Sequence, residues 1–129
     1  MNNPVADKKW KFLNEDLEKF MKVNDFWSLG STYYVMANFL EREGKDASHL
    51  RKLGYDMKLK VNEETLQNIE ESDVVTGVEI IACSNSCELC KKLNGKCFTI
   101  DIAKKTKLLP VKECGYESGC RCVYGPTVE

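Results

Sequence analysis

Histidine, proline and long apolar runs are all scarce in this chain. Its 129 residues include a single histidine, His49, and three prolines. A cysteine nucleophile usually works with a histidine, and a catalytic zinc site usually includes histidine or glutamate ligands, so neither kind of enzyme is favoured. The most apolar stretch, Tyr33–Leu40, is far shorter than the roughly 18 residues that a membrane-spanning helix needs. The sequence therefore predicts a protein without a membrane span.

Two further absences narrow the class of protein. The first residues do not have the charged-then-apolar layout of a signal peptide, so we expect a cytoplasmic location. Neither a glycine-rich phosphate-binding loop nor an H-E-x2-H motif is present, and we expect the protein not to be an enzyme. The composition, 43% hydrophobic and 30% charged with a net charge of −1, indicates a folded globular chain rather than a disordered one.

The seven cysteines are distributed very unevenly. None lies in the first 82 residues, and all seven fall in the segment from Cys83 to Cys122. In a reducing compartment structural disulfides are rare, and clustered cysteines are more often metal ligands or redox groups. An odd number of cysteines also fits poorly with a fully paired set of disulfides. The clustering predicts a local cysteine-rich module in the last third of the sequence.

Charge is also distributed unevenly between the two parts of the chain. Residues 1–82 carry 11 Lys and Arg against 15 Asp and Glu, whereas residues 83–129 carry 8 against 5. The cysteine-rich part therefore has a formal charge of +3, which four thiolates and one Zn2+ would lower to about +1. Strong electrostatic attraction to nucleic acid is accordingly not expected.

Apolar residues at helical spacing predict three or four helices in the N-terminal part. The first helix includes the stripe Trp10–Met21. The second begins at Asp25, whose carboxylate can accept hydrogen bonds from free backbone N–H groups, and ends at Gly44. The third begins near Asp46, and a shorter fourth helix is expected at Glu63–Glu71. Short connections between such helices favour an up-and-down array.

Beyond residue 73 the pattern changes from helices to strands. Val74–Ala82 is rich in β-branched residues and predicts a first strand. A second strand is expected at Cys97–Ile100, after an Asn94-Gly95 turn that is typical of hairpins. Asp101 is expected to cap a short helix, and Arg121–Tyr124 is expected to form a third strand.

These patterns together predict an α+β protein of two units. The first unit, residues 1–73, is an N-terminal helical array of three to four helices. The second unit, residues 74–129, is a small β-containing, cysteine-rich module that we expect to bind zinc. Its own apolar content is thin for an independent core, so a metal ion would contribute much of its stability.

Five cysteines have the spacing of zinc ligands: Cys87, Cys90, Cys114, Cys120 and Cys122. Structural zinc is tetrahedral and is often bound by four cysteines, so four of these five are expected to bind the ion. The C-x2-C pair suits a tight turn that brings two sulfurs together. In a true strand the C-R-C pair would lie about 6.6 Å apart, which a bend at the preceding Gly119 can shorten. We expect the ligands Cys87, Cys90, Cys114 and Cys120, with Cys122 the rival for the fourth position.

The remaining two cysteines are interpreted differently. A free cysteine behaves as a small apolar residue and is often buried. Cys83 ends an apolar segment and Cys97 precedes Phe98, so we expect both to pack in the core. Participation in the metal site and a reversible disulfide between the two are the alternatives.

The order of short motifs in this segment resembles the C-terminal cysteine module of tailed-phage minor head, or head-morphogenesis, proteins. The matching elements are Cys87-Glu88-Leu89-Cys90, Leu93-Asn94-Gly95-Lys96-Cys97-Phe98, Leu109-Pro110-Val111 and Cys120-Arg121-Cys122. The resemblance covers about 40 residues and implies a small zinc-binding knuckle, made from both cysteine groups, in a protein of bacterial or mobile-element type. The phage proteins usually have a histidine shortly before the C-R-C, whereas this chain has Cys114 further upstream.

These observations favour a non-catalytic zinc-binding protein whose zinc site supports a protein-interaction surface. A nucleic-acid-binding zinc module is the second hypothesis, because lysines lie near the knuckle at Lys91-Lys92 and Lys104-Lys105. A thiol-based redox or zinc sensor is the third, because there are more cysteines than one zinc ion needs. We expect a protein partner first, nucleic acid second, and no membrane.

Overall fold

The computed structural model describes residues 4–128, which form three long helices followed by a small unit of mixed structure. The helices are α1 (Pro4–Lys22), α2 (Phe26–Arg42), α3 (Ser48–Glu70), α4 (Glu88–Leu93) and α5 (Ile100–Thr106). The strands are β1 (Gly77–Ile81), β2 (Cys97–Phe98) and β3 (Val123–Thr127). The α+β class expected from the sequence is confirmed.

Local residues define the start and the end of α2. The carboxylate of Asp25 accepts hydrogen bonds from the Ser28 amide at 3.1 Å and from the Ser28 hydroxyl at 2.7 Å. The first of these bonds satisfies a donor that the first helical turn leaves free, which is the capping role expected for Asp25. After Arg42 the chain turns at Gly44, whose φ of +79° lies in the left-handed region that glycine adopts at little cost.

Helix α3 runs without a break across the position where the sequence predicted two helices. The expectation of a separate helix at 63–71 is wrong, because Asn62 does not interrupt α3. The Asn62 side-chain amide donates to the Lys58 carbonyl at 2.9 Å, and the Thr65 hydroxyl donates to the Val61 carbonyl at 3.1 Å. Each polar side chain is thus satisfied by the preceding turn of its own helix. With 23 residues α3 is about 35 Å long, enough to contact both parts of the molecule.

Two glycines let α2 and α3 approach closely. A Cβ atom at Gly30 would lie 3.0 Å from the Gly54 carbonyl oxygen, and a Cβ at Gly54 would lie 3.0 Å from the Gly30 carbonyl oxygen. The Gly54 Cβ would also lie 2.8 Å from the Tyr34 ring. Backbone therefore packs on backbone at this crossing, and Tyr34 fills the space beside it.

The core consists of two clusters, and α3 contributes to both. The first lies among the three long helices around Leu17, Leu29 and Met36, with Leu50 and Met57 of α3 packed against it. The second lies beneath the sheet and is made of Leu66, Val78, Ile80, Cys90, Ala103, Leu109, Cys120, Cys122 and Tyr124. Because Leu66 belongs to α3, this long helix connects the helical array to the cysteine-rich part.

The sheet is antiparallel, with the strand order β2-β1-β3. In its register Ile80 of β1 aligns with Tyr124 of β3. Strand alternation turns Val78, Ile80 and Tyr124 towards α3 and α5, where all three side chains are buried. The neighbouring pair, Ile81 and Val123, lies on the opposite face and is exposed.

The boundaries of the first two strands differ from those expected. The first strand begins at Gly77 rather than Val74, whose side chain is 66% exposed. The second strand stops at Phe98, because the Thr99 hydroxyl accepts a hydrogen bond from an amide in the first turn of α5 at 3.2 Å. Thr99, and not Asp101 as expected, is therefore the N-cap of that helix.

The Asn94-Gly95 pair does not form the two-residue hairpin turn that the sequence suggested. Helix α4 lies between β1 and β2, and the pair follows that helix. The Ala82 amide donates to the Asn94 side-chain oxygen at 2.9 Å, and the Gly95 amide donates to the Ile80 carbonyl at 2.8 Å. The third strand, expected at 121–124, instead occupies Val123–Thr127, which leaves the C-R-C outside the sheet.

Candidate metal centre

The C-x2-C pair lies at the start of α4. Cys87 is the residue before the helix, and Cys90 lies within its first turn. Positions three apart share one face of a helix, and the two Sγ atoms accordingly lie within 4.8 Å of each other. Cys87 is half-buried and Cys90 is 1% exposed. The pair thus presents two neighbouring thiols to the interior.

Cys114 completes a first group of three thiols with this pair. Its Sγ lies 3.6 Å from the Sγ of Cys87 and 3.6 Å from the Sγ of Cys90. A turn holds Cys114 in this position, with its amide donating to the Val111 carbonyl at 3.2 Å. All three sulfurs lie within 4.8 Å of one another.

The C-R-C pair forms a second group of thiols together with Cys90. Cys120 and Cys122 are 1% and 0% exposed, and the Sγ atoms of Cys90 and Cys120 are 3.9 Å apart. The sulfurs of Cys90, Cys120 and Cys122 all lie within 4.8 Å of one another. The separation of about 6.6 Å expected for an ideal strand does not apply, because both cysteines precede β3. The structure therefore brings all five cysteines together, in two groups that share Cys90.

A left-handed glycine sets the direction of the chain just before the C-R-C. Gly119 has a φ of +84°, which a residue with a Cβ atom adopts only at a cost. A Cβ at this position would also overlap the Tyr34 ring. The sequence predicted a bend at Gly119 that would bring Cys120 and Cys122 closer than in a strand, and their sulfurs lie within 4.8 Å of each other.

The distances between the sulfurs suit a thiolate-bound metal ion. Four sulfurs placed tetrahedrally about 2.3 Å from zinc are about 3.8 Å apart. Three pairs, Cys87–Cys114, Cys90–Cys114 and Cys90–Cys120, are 3.6–3.9 Å apart, and each of the two groups supplies three sulfurs within 4.8 Å of one another. A disulfide has a much shorter S–S distance, about 2.05 Å. All seven cysteines lie in the described part of the chain, and all are free thiols. The donor set therefore fits a thiophilic metal such as Zn2+.

Burial makes most of these thiols hard to ionise without a cation. It raises the pKa of Cys90 and Cys114, and it raises the pKa of Cys122 to about 12. For Cys87 burial acts in the same direction, but hydrogen bonds from the Cys90 and Gly115 amides outweigh it and lower the pKa to about 7. Metal binding must therefore displace protons from the buried thiols.

A buried cation lies beside the cysteines. Lys58 of α3 is 0% exposed, and its Nζ donates to the carbonyls of Ser118 at 2.8 Å and Cys120 at 3.1 Å. Nζ also lies 4.2 Å from the centroid of the Trp27 ring. Burial lowers the pKa of Lys58 to about 8, while the nearby Cys120 acts in the opposite direction. The sequence pattern did not mark this lysine, because the carbonyls that it binds lie 60 or more positions further along the chain.

A second cation belongs to the C-R-C itself. The Arg121 guanidinium lies 3.5 Å from the centroid of the Tyr116 ring and donates to the Asn85 side-chain oxygen at 2.8 Å. Its Nε is buried and has no hydrogen-bond partner among the described residues. Two cations therefore flank the cysteines, which suits a site whose formal charge is about −2 when four thiolates bind Zn2+.

Cys83 and Cys97 do not pack in the core, so that expectation is wrong. Both thiols are exposed. Cys97 pairs with Glu79, and strand alternation places it on the face of the sheet opposite the one that buries Ile80. Cys83 lies beyond the end of β1. Neither thiol belongs to the two groups around Cys90, and His49 is exposed at the start of α3.

Comparisons with protein families, curated proteins and solved structures give no match for this chain. Within residues 4–128, every helix is too short or too polar to span a bilayer. The site must therefore be interpreted from its own geometry.

Proposed function

We propose that the protein binds one structural zinc ion through Cys87, Cys90, Cys114 and Cys120, and that it is not an enzyme. The close group of three thiols carries the proposal, with the Cys114 sulfur 3.6 Å from those of Cys87 and Cys90. The Cys120 sulfur lies 3.9 Å from that of Cys90 but not within 4.8 Å of both other sulfurs, so Cys120 must move closer to complete the set when the ion binds. Four thiolates complete the tetrahedron around zinc, whereas a catalytic site keeps one position open for water or substrate. These ligands connect α4, the loop around Cys114 and the segment before β3.

Cys122 is the alternative to Cys120 as the fourth ligand. Both residues lie within 4.8 Å of Cys90 and both are buried. We favour Cys120 because its Sγ lies 3.9 Å from that of Cys90 and because Lys58 holds its carbonyl. In this arrangement Cys122 stays a neutral thiol, since a fifth thiolate would place another charge in a buried site.

Metal binding supplies the stability that this part of the chain lacks. The strands have two to five residues, and α4 and α5 have six and seven. Helices of this length are not stable in isolation. Three of the nine buried residues in the second core cluster are cysteines, so crosslinking them through one ion stabilises the cluster from within.

Native mass spectrometry and cobalt substitution test the zinc site. We expect one zinc ion per chain, and we expect Co2+ in its place to show the charge-transfer absorption of thiolate ligands. Cys87→Ser, Cys90→Ser and Cys114→Ser should each weaken zinc binding strongly, because each removes a ligand. Cys97→Ser is the matched control, since that thiol is exposed and lies outside both groups.

The comparison of Cys120→Ser with Cys122→Ser identifies the fourth ligand. We expect the first substitution to weaken zinc binding strongly and the second to leave it nearly unchanged. A metal-free protein that is fully folded and contains disulfides among these cysteines would contradict the proposed function.

We propose a protein as the binding partner, at the outer face of the sheet. Ile81 and Val123 align across β1 and β3, and they are 44% and 42% exposed. The Ile81 side chain extends over Gly125, where an added Cβ would lie 2.7 Å from the Ile81 Cδ1. An exposed apolar pair on a rigid, zinc-stabilised sheet supports a protein interface better than a nucleic-acid interface.

Binding to generic double-stranded DNA over a range of salt concentrations separates these two kinds of partner. We expect weak binding with a shallow salt dependence, because the zinc-loaded module has a formal charge of only about +1. A steep loss of affinity with added salt would instead favour a nucleic-acid-binding module.

We also propose a cytoplasmic protein of bacterial or mobile-element type, on the strength of the motif resemblance to phage head-morphogenesis modules. Free thiols suit a reducing compartment. Alkylation in freshly lysed cells, followed by mass spectrometry, should find the cysteines reduced; disulfides in that sample would contradict this location.

A further inference from the structure

We infer that Lys58 is a positioning residue of the metal site and that it couples this site to the helical array. The inference rests on the proposed zinc site and adds to it a residue from a distant helix. Lys58 is among the largest fully buried side chains of the protein, at 0% exposure. Lysine is almost never buried to this extent without partners, so its environment requires an explanation.

The Lys58 ammonium is satisfied by backbone carbonyls and by an aromatic ring. It donates to Ser118 at 2.8 Å and to Cys120 at 3.1 Å, and the Trp27 ring centroid is 4.2 Å away. The two carbonyls stand on either side of Gly119, the left-handed residue that bends the chain. Lys58 therefore holds both sides of the bend that directs the Cys120 thiol towards Cys90.

Among residues 4–128, no carboxylate pairs with the charge of Lys58. Within residues 4–128 the ion pairs involve other basic residues, and none includes Lys58. The acidic groups that act on it are the thiols of Cys120 and Cys114. A buried, uncompensated charge is strongly unfavourable, so a zinc–thiolate site with a net charge of about −2 supplies the counter-charge that this ammonium needs.

Helix α2 is part of the same arrangement. A Cβ atom at Gly30 would lie 2.8 Å from the Lys58 Cγ, so the lysine side chain passes directly over this glycine. Trp27, which faces the ammonium, also belongs to α2. Stabilisation is reciprocal in such a system: a bound metal ion fixes Lys58 between α2 and α3, and a fixed Lys58 favours metal binding.

Lys58→Met and its matched control Lys60→Met test the inference. Methionine keeps an unbranched side chain but removes the charge and the donors. Lys60 is exposed on the same helix, and its Nζ lies 4.3 Å from the Phe26 ring centroid, so its substitution removes an equivalent charge and cation–aromatic contact. Loss of a group that orients a metal ligand typically lowers metal affinity about 10- to 100-fold.

Chelator competition measures the zinc affinity of both variants. We expect a decrease of about 10- to 100-fold for Lys58→Met and no change for Lys60→Met. We also expect the visible absorption of the Co2+-loaded Lys58→Met protein to shift, because the Cys120 ligand is no longer held. A purely structural contribution of Lys58 would lower the unfolding midpoint without moving this spectrum.

A measurement on the unmodified protein covers the case in which Lys58→Met does not fold. Hydrogen exchange followed with and without bound zinc should show faster exchange in α3 around Lys58 after zinc removal. In a Trp10→Phe background, the fluorescence of Trp27 should change on zinc removal, because the Lys58 ammonium beside the Trp27 ring is then no longer held in place.

The outcomes separate this inference from the zinc site itself. If zinc binds but both lysine variants have the same zinc affinity and cobalt spectrum, Lys58 is not a positioning residue. Changes in exchange confined to residues 83–127 would overturn the inference in the same way. If the unmodified protein binds no zinc, the proposed function fails and this inference fails with it.

Discussion

Cys90 is the most constrained of the cysteines, because it belongs to both thiol groups. Its Sγ lies 3.6 Å from that of Cys114 and 3.9 Å from that of Cys120. At 1% exposure it has no contact with solvent that could replace a lost ligand. Removal of this one thiol disrupts both thiol groups, and with them the ligand set with Cys120 and the alternative set with Cys122, whereas removal of Cys122 leaves the proposed set intact.

Zinc affinity should fall as the pH is lowered, and the slope of log affinity against pH should change near pH 7. Burial raises the pKa of Cys90 and Cys114, so these thiols release their protons only when the metal binds. Cys87, with its pKa lowered to about 7, is mostly a thiolate above that pH and a thiol below it. Zinc must therefore displace about one more proton below pH 7 than above it.

Chelator-competition titrations between about pH 6 and about pH 8 measure this dependence. The plot of log affinity against pH should become steeper by about one unit below pH 7. A slope that stays constant through pH 7 would show that the Gly115 and Cys90 amides do not stabilise the Cys87 thiolate.

For individual residues, the sequence predicted which cysteines cluster, but it did not predict properties that depend on contacts between residues far apart in the chain. The five clustered cysteines were identified from spacing alone. The exposure of Cys97 depends on its pairing with Glu79, which spacing does not reveal. Lys58 reads as an ordinary lysine on a helix, since its carbonyl partners come from a loop 60 or more positions away.

Among the secondary-structure elements, α2 and α3 cross in close backbone contact. Gly30 and Gly54 place the two backbones against each other, and Tyr34 packs on both Gly54 and Gly119. The crossing therefore also supports the bend that precedes the C-R-C.

Gly54→Ala should destabilise the protein by about 1–3 kcal/mol, because the new Cβ meets the Tyr34 ring at 2.8 Å and cannot be accommodated without shifting it. Gly115→Ala is the control, since a Cβ there meets nothing within 4 Å, and we expect a change within about 0.5 kcal/mol. Urea denaturation of the two zinc-loaded variants measures the difference. Equal midpoints would mean that the crossing relaxes to admit a methyl group.

Element boundaries were predictable where a local hydrogen bond or a glycine defines them. Asp25 and Gly44 bound α2 through contacts within a few residues, and both were identified. The continuity of α3 through Asn62 was missed, because a side-chain bond to the preceding turn satisfies a residue that often ends a helix. The end of β2 was missed because Thr99 caps α5 more directly than Asp101 does.

For the whole molecule, α3 is the structural link between the helical array and the cysteine-rich part. Leu50 and Met57 pack against the first core cluster, and Leu66 belongs to the second. The α+β class followed from helical and strand periodicity. Periodicity did not predict the contacts between the helical array and the cysteine-rich part, because these contacts depend on which face of α3 each part covers.

The zinc-loaded protein should unfold in a single transition. Since α3 belongs to both clusters, loss of either one removes packing from the other. In the protein loaded with Co2+ in place of zinc, we expect the tryptophan fluorescence of the helical array and the cobalt absorption of the metal site to change at the same urea concentration. Two separate midpoints would show that the cysteine-rich part unfolds independently of α1 and α2.

The separation between Lys58 and Cys120 has a consequence for the order of events during synthesis. The two residues are 62 positions apart, which a ribosome covers in about 3–12 s at roughly 5–20 residues per second. During that delay the nascent chain contains α3 without the loop and strand that later cover its Lys58 and Leu66. The segment that includes Cys120 and Tyr124 emerges only after this delay and completes both the proposed ligand set and the cover of this helix. If the proposed zinc site is correct, correct assembly of the nascent chain depends on delayed closure and on the metal available at that moment.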